Sequence, residues 1–293
     1  MSVIVRVTPI MALAVLACGG DGRATVAGDP VPLFRHVVVV VEENASYARV
    51  ADSSSMPYLK GLAQQYGLAT QYYANTHPSI GNYFMMTVGK IITNDDDYSR
   101  IVTDDNIIRH LVAAGKTWKS YAEDLPSIGY IGSDSGKYAR KHNVIALLSD
   151  VANDTLQAKH LVPFTQFAVD LARGALPNYS MIVPNVCNDA HDCPLATADT
   201  WLKSHIDPLV KNAAFRRDGL LLILFDEANA GDNAHGGGRI AWVVVSGRAK
   251  RNYRATALYQ HESTLRLTAQ ALGLTTFPNA AARAPAMGEF FTP

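Results

Sequence analysis

The hydrophobic pattern of the chain alternates between two periods. Short runs of β-branched and aliphatic residues, Val37–Val41, Leu68–Tyr73, Thr117–Ala122, Tyr179–Val183, Leu220–Phe225 and Ala241–Ser246, have the length and make-up of strands. Between them, apolar residues recur at helical spacing over Pro57–Tyr66, Ser79–Val88, Asn106–Ala114, Thr165–Arg173, Ala198–Ala213 and Tyr259–Leu272. Runs such as "HVVVVV" and "GLLLILF" are apolar on both faces and need cover on both sides. The alternation predicts an α/β fold, with a largely parallel central sheet between two layers of helices. Asp124–Val162 is poorly periodic and is expected to be an insertion that shapes the site. No repeat or long linker divides the chain, so residues 31–293 read as a single domain.

The N-terminus departs from this pattern. "MSVIVRVTPIMALAVLACGG" carries one early arginine, an apolar run too short for a convincing membrane span, and a small-residue stop. Residues 1–18 are read as a signal peptide and residues 19–30 as a short linker. "VLAC" resembles a bacterial lipobox, although Leu16 fits its position imperfectly, and it makes Cys18 a candidate lipid anchor. The protein is therefore expected to be exported: periplasmic, held at the cell surface as a lipoprotein, or secreted. A membrane enters only through that anchor. Formal net charge is zero and no basic stripe stands out, which argues against a nucleic-acid partner. Of three cysteines, Cys187 and Cys193 flank "NDAHD". Close cysteines in an exported chain favour a local disulfide. The rival is a metal site using both thiolates.

Candidate chemistry gathers at strand ends. The valine strand delivers Glu42, Glu43 and Asn44, and "GLLLILFDEA" ends on Asp226 and Glu227. In open α/β sheets, ligands bind beyond the carboxyl ends of the strands. Either cluster alone could be a solvated loop, but two acidic pairs on one edge suit a hard divalent cation. "NTHPSIGNYFMMTVG" puts Pro78 in a first helical turn and Ser79 at the positive end of the helix. Asn82 follows three residues later on the same face. An ordinary helix cap is the plain alternative for Ser79. Three histidines also lie at polar junctions: His142 near Lys137 and Arg140, His191 between Asp189 and Asp192, and His261 at a helix start.

Taken together, "HVVVVVEENAS", "THPSIGNY", "AEDLPSIG", "KYARKH", "VPNVCNDAHDC", "ATADTWLKSHIDPL" and "LLILFDE" resemble, in order, the phosphoesterase family of the alkaline phosphatase superfamily. That family includes acid phosphatases and non-haemolytic phospholipases C, and "AEDLP…GKYARKH" is especially similar to the secreted acid phosphatases of mycobacteria. The likeness runs from Phe34 to Leu274. It implies an alkaline-phosphatase-like three-layer sandwich and an exported acid phosphatase holding one divalent ion, calcium, magnesium or manganese. By resemblance, Glu43, Asn44, Ser79, Asp226 and Glu227 are metal ligands, and Ser79 is the nucleophile. Asn82 binds phosphate, His191 and His261 stand around it, and His142 and Lys137 bind substrate. The glycine-rich "ANAGDNAHGGGR", with His235, departs from the family pattern.

The implied mechanism is attack by a metal-activated serine on phosphorus, protonation of the leaving oxygen by His191 or His261, and hydrolysis of a phosphoserine by water. The substrate would be a small-molecule or lipid phosphate monoester, phosphoinositides included. The alternative is a phosphodiesterase of the phospholipase C type. A catalytically dead binding module would show a broken ligand set, which this chain does not. A metal-free serine esterase lacks its G-x-S-x-G elbow around Ser79.

Overall fold

The computed structural model describes Met1 and residues 29–292. The rest of the expected signal peptide, Cys18, and the linker up to residue 28 lie outside the described residues. Among the described residues, no helix is long and apolar enough to cross a membrane.

Eight strands, β1 (His36–Glu42), β2 (Gly67–Ala69), β3 (Trp118–Ala122), β4 (Leu161–Pro163), β5 (Tyr179–Val183), β6 (Gly219–Phe225), β7 (Trp242–Ser246) and β8 (Tyr253–Ala255), form one sheet in the order β4-β3-β5-β1-β6-β7-β2-β8. Every pairing is parallel except those of β7, which is antiparallel to both β6 and β2. β6 therefore turns back on itself through residues 226–241, and this loop sits at the carboxyl edge of the sheet. β1 and β6 lie at the centre, where Val37, Val38, Val40 and Val41 and Leu220 to Phe225 are fully buried. Each such side chain contributes roughly 1.5–3 kcal/mol of hydrophobic stabilisation, so the two strands make a stiff support.

Successive residues at a strand end point to opposite faces. Burial, then Asp189 and then Asp199, on the helix Leu195–His205, raise the pKa of the Glu42 carboxyl. Glu43 instead meets the helix Ser79–Thr87. The Leu195–His205 helix is tied to the helix Pro57–Gln65, because Asp199 accepts from the Tyr58 and Leu59 N–H groups at 2.9 Å each. On the other side, Ser79–Thr87 packs against His261–Ala271.

Three expected elements differ, the first being the strand expected over Leu68–Tyr73, which spans only Gly67–Ala69. The helix expected over Ala198–Ala213 is three, Leu195–His205, Asp207–Lys211 and Ala213–Asp218. Pro208 cannot donate to a preceding turn, and the Asn212 side chain accepts from Phe215 N–H at 3.0 Å to start a new helix. The insertion Asp124–Val162 is also more ordered than its periodicity suggests. It holds short helices at Ser149–Ala152 and Thr155–Ala158, 3-10 turns at Arg140–His142 and Val144–Leu147, and the start of β4.

Candidate active site

Register brings the two acidic ends together. β1 pairs with β6 so that Glu42 lies opposite Phe225, and the Asp226 N–H donates to the Glu42 carbonyl at 2.9 Å. Glu43 and Asp226 therefore leave neighbouring strands side by side. Asn44 takes a left-handed φ of 55°, which asparagine tolerates better than most residues, and its N–H donates to Asp226 Oδ1 at 3.1 Å. Asp226 Oδ1 also accepts from Glu227 N–H at 2.5 Å.

Ser79 is the first residue of a helix buried along its whole length. Pro78 precedes it as the cap, one position earlier than expected, and makes no side-chain capping bond of its own. The Ser79 hydroxyl does not act as a cap. It points into the carboxylate cluster and donates to Glu43 Oε2 at 2.9 Å. The other oxygen of Glu43 accepts from the Tyr83 hydroxyl, one helical turn beyond Ser79.

The cluster cannot hold its negative charge alone. Burial, then Asp226 and Asp189, push the Glu43 carboxyl well above its usual range, and burial raises Asp189 too. Buried Asn44 Oδ1, Asp226 Oδ2 and Asp189 Oδ2 have no hydrogen-bond partner. Buried oxygen donors left bare among raised carboxyls fit a hard divalent cation. Of the five expected ligands, Glu43, Ser79, Asn44 and Asp226 are linked here by hydrogen bonds, Ser79 to Glu43 and the Asn44 N–H to Asp226. A second grouping shares Glu43: this residue, His142 and Asp189 form a buried group, with candidate ligand atoms within 4.8 Å of one another, that could hold a metal ion.

His142 was expected at the substrate. It is instead fully buried, with Nε2 3.4 Å from Glu43 and Nδ1 3.3 Å from Asp189, and its ring is stacked on Tyr83. Burial lowers its pKa to about 3, so the imidazole is neutral and able to bind a metal. Lys137 is exposed, and its carbonyl accepts from Val186 N–H. The cation turned to the site is Lys141, which bonds Asp96 at 2.8 Å.

Three further expectations change. Asn82, expected to bind phosphate, braces the loop before the serine: its Oδ1 accepts from Asn75 and Thr76 N–H at 2.9 and 3.2 Å, and its Nδ2 donates to the Thr76 carbonyl at 2.9 Å. His261 is fully buried, with Nε2 2.6 Å from the Asp226 carbonyl and Nδ1 3.4 Å from the Tyr72 hydroxyl. Both nitrogens face protein groups, and burial lowers its pKa to about 4, so it steadies the Asp226 backbone and does not stand beside a leaving group. Glu227 lies beside Asp226 but is turned to His77, whose Nδ1 is 2.9 Å away. Burial first, then Asp226, raises its pKa to about 9. His191 is partly exposed, its ring lies 5.7 Å from that of His142, and its Nδ1 is held by Asp192 at 2.7 Å.

The glycine-rich loop has a packing reason. A Cβ on Gly236 or Gly237 would stand 2.1 Å from the Asn75 carbonyl oxygen or 2.3 Å from that of Thr76. These glycines make the bed on which the serine loop lies. Sequence reading missed Tyr83, His77 and Lys141. Tyr83 follows Ser79 by one helical turn, and Lys141 adjoins His142, so both carried a local signal. An apolar groove of about 860 Å³ lined by Phe164, Phe167 and Leu171 opens beside Glu123 and contains none of these groups.

Cys187 and Cys193 are joined in a disulfide, six positions apart with Cα atoms at 4.7 Å. The bridge closes the loop that carries Asp189 and His191. Replacing both with serine is expected to lower stability by about 2 kcal/mol, the chain-entropy value for so short a loop. Thermal melting of the double variant checks this. An unchanged melting temperature, or non-reduced peptides showing free thiols, would contradict it.

Comparison with known proteins completes the picture. A sequence model of the Phosphoesterase family matches residues 50–275. Over 222 residues the chain is 35% identical to the phosphatidylinositol-3-phosphatase of Mycobacterium tuberculosis, covering 74% of this chain and 72% of that one. Over 215 residues it is 34% identical to the phosphate-repressible acid phosphatase of Penicillium chrysogenum, covering 70% of this chain and about half (52%) of the fungal one. An alkaline phosphatase superfamily protein from Vibrio parahaemolyticus shares the fold, with a TM-score of 0.55 over 84% of this chain and 69% of that one at 12% identity. The chain thus belongs to the phosphoesterase family, on the three-layer α/β sandwich of the alkaline phosphatase superfamily.

Proposed function

We propose that this protein is an exported, metal-dependent phosphomonoesterase of the acid phosphatase type that works through a phosphoserine. The observation that carries this reading is the Ser79 hydroxyl, uncommitted to capping and held at 2.9 Å on Glu43 beside the bare oxygens of Asn44 and Asp226. A divalent cation held by Glu43, Asn44 and Asp226 would lower the serine pKa and draw charge from the phosphoryl oxygens. Glu43 holds the hydroxyl, and Tyr83 fixes Glu43 from its other oxygen. Attack by Oγ passes the hydroxyl proton to Glu43 Oε2, forms the serine–phosphorus bond and breaks the bond to the leaving oxygen, which takes a proton from another group. We assign that proton to His191, whose Nδ1 is held by Asp192. Water then cleaves the phosphoserine, releasing phosphate and restoring the hydroxyl.

Purified protein is expected to hydrolyse p-nitrophenyl phosphate faster than bis-p-nitrophenyl phosphate. Exhaustive chelation should stop both, and calcium, magnesium or manganese should restore them. A faster diester reaction would favour the phospholipase C type, and turnover indifferent to chelation would remove the metal. The name of the mycobacterial relative makes phosphoinositides the lipid substrates to test next. Export is supported by the leader pattern of residues 1–18 and by the Cys187–Cys193 bridge. Fractionation of a bacterial host should find a processed product outside the cytoplasm. A full-length cytosolic product would contradict export, and a processed product without lipid label would remove only the Cys18 anchor.

A further inference from the structure

The loop Thr93–Asp96 lies across the first turn of the serine helix. A Cβ on Gly81 would meet Asn94 Oδ1 at 2.5 Å and the Thr93 carbonyl oxygen at 3.2 Å, so glycine permits this approach. At its end, Asp96 Oδ1 accepts from the N–H of Ile80, the residue after the serine, at 3.3 Å. The other oxygen of Asp96 pairs with Lys141 Nζ at 2.8 Å. Asp96 thus sets a carboxylate on a backbone N–H of the serine-bearing turn, at a helix end that favours anions.

Lys141 is the cation whose field reaches this cluster. Burial lowers its pKa, but Asp96 and the nearby carboxyls of Glu43 and Asp226 more than offset that, and it opposes the rise at Glu227. Its neighbour His142 touches Glu43, which in turn holds Ser79. A phosphate monoester approaches with up to two negative charges, its second pKa being about 6, and a diester with one. A site rich in carboxylates resists the second charge unless a cation meets it.

We propose that Lys141 exchanges Asp96 for a phosphoryl oxygen when substrate binds, and that this exchange makes the site prefer monoesters to diesters. The inference rests on the phosphatase reading above and assigns the charge selectivity of the same site.

Binding of inorganic phosphate, measured by calorimetry on the metal-supplemented protein, tests it together with the two nitrophenyl esters. Lys141→Met should weaken phosphate binding about 10- to 100-fold, the span of one charged hydrogen bond. It should lower kcat/KM for the monoester by a similar factor, and lower that for the diester much less. Lys141→Arg should recover much of the loss. Asp96→Asn should tighten phosphate binding by freeing Lys141. If Lys141→Met fails to fold, leaving Asp96 unpaired, the Lys141→Met/Asp96→Asn protein removes both charges and gives the same comparison. Unchanged phosphate affinity, or equal losses on both esters, would overturn the proposal. If wild-type protein cleaves neither ester, the functional reading fails, and the phosphate affinities still decide the role of Lys141.

Discussion

Ser79→Ala is expected to lower monoester turnover by roughly four to six orders of magnitude, the scale on which loss of a nucleophile acts. The fold should survive. Ser79 caps nothing, so the loss is confined to the hydrogen bond that Glu43 Oε2 receives. One buried acceptor left bare costs about 1–3 kcal/mol, and bound metal would recover part of it. Circular dichroism and melting should therefore show a folded protein, slightly less stable, with the metal site present. Near-normal activity in this variant would move the attack to another group, such as Thr76 or water.

Asp226→Asn should also abolish most activity, for a different reason. The change keeps the side-chain shape and one oxygen to accept from the Asn44 and Glu227 N–H groups. It removes the charge that Asp226 Oδ2 offers, an oxygen that has no protein partner. Cation affinity should fall by about 100-fold or more, since weaker outer-shell changes already cost up to that much. Excess metal should rescue part of the rate, which it cannot do for Ser79→Ala. Without metal the sign reverses. Asp226 raises the pKa of both Glu43 and Glu227 by repulsion, so the neutral amide should leave chelated protein as stable as wild type or more so. A metal-independent loss of activity, or a marked drop in stability under chelation, would contradict the ligand role.

What could be read in advance follows from the range of the interactions. The buried runs of β1 and β6 and their acidic ends are local signals, and so is the serine turn before an apolar helix. Their meeting needs the strand order, which periodicity does not state, yet two acidic ends on one edge sufficed to suggest it. The inverted β7 left no such mark, because its "WVVVS" reads the same in either direction of pairing. Asn82 and His261 show the limit more sharply. Their spacing was compatible with contact to phosphate, but the nearest partners of Asn82 are backbone groups of Asn75 and Thr76, and His261 reaches the Asp226 carbonyl. The pairs His77–Glu227 and Lys141–Asp96 join segments far apart in sequence, so no local window contained them. Nothing local says which lysine of "GKYARKH" faces inward, so the sequence does not separate Lys137 from Lys141.

The most direct test of the account is covalent. Wild-type protein turning over p-nitrophenyl phosphate should be quenched in acid within milliseconds to seconds, digested and examined by mass spectrometry. The account predicts phosphate on the peptide carrying "THPSIGNY", located at Ser79 and absent from Ser79→Ala. Active enzyme that shows no phosphate on Ser79 at any quench time, or carries it on Thr76 instead, would contradict it.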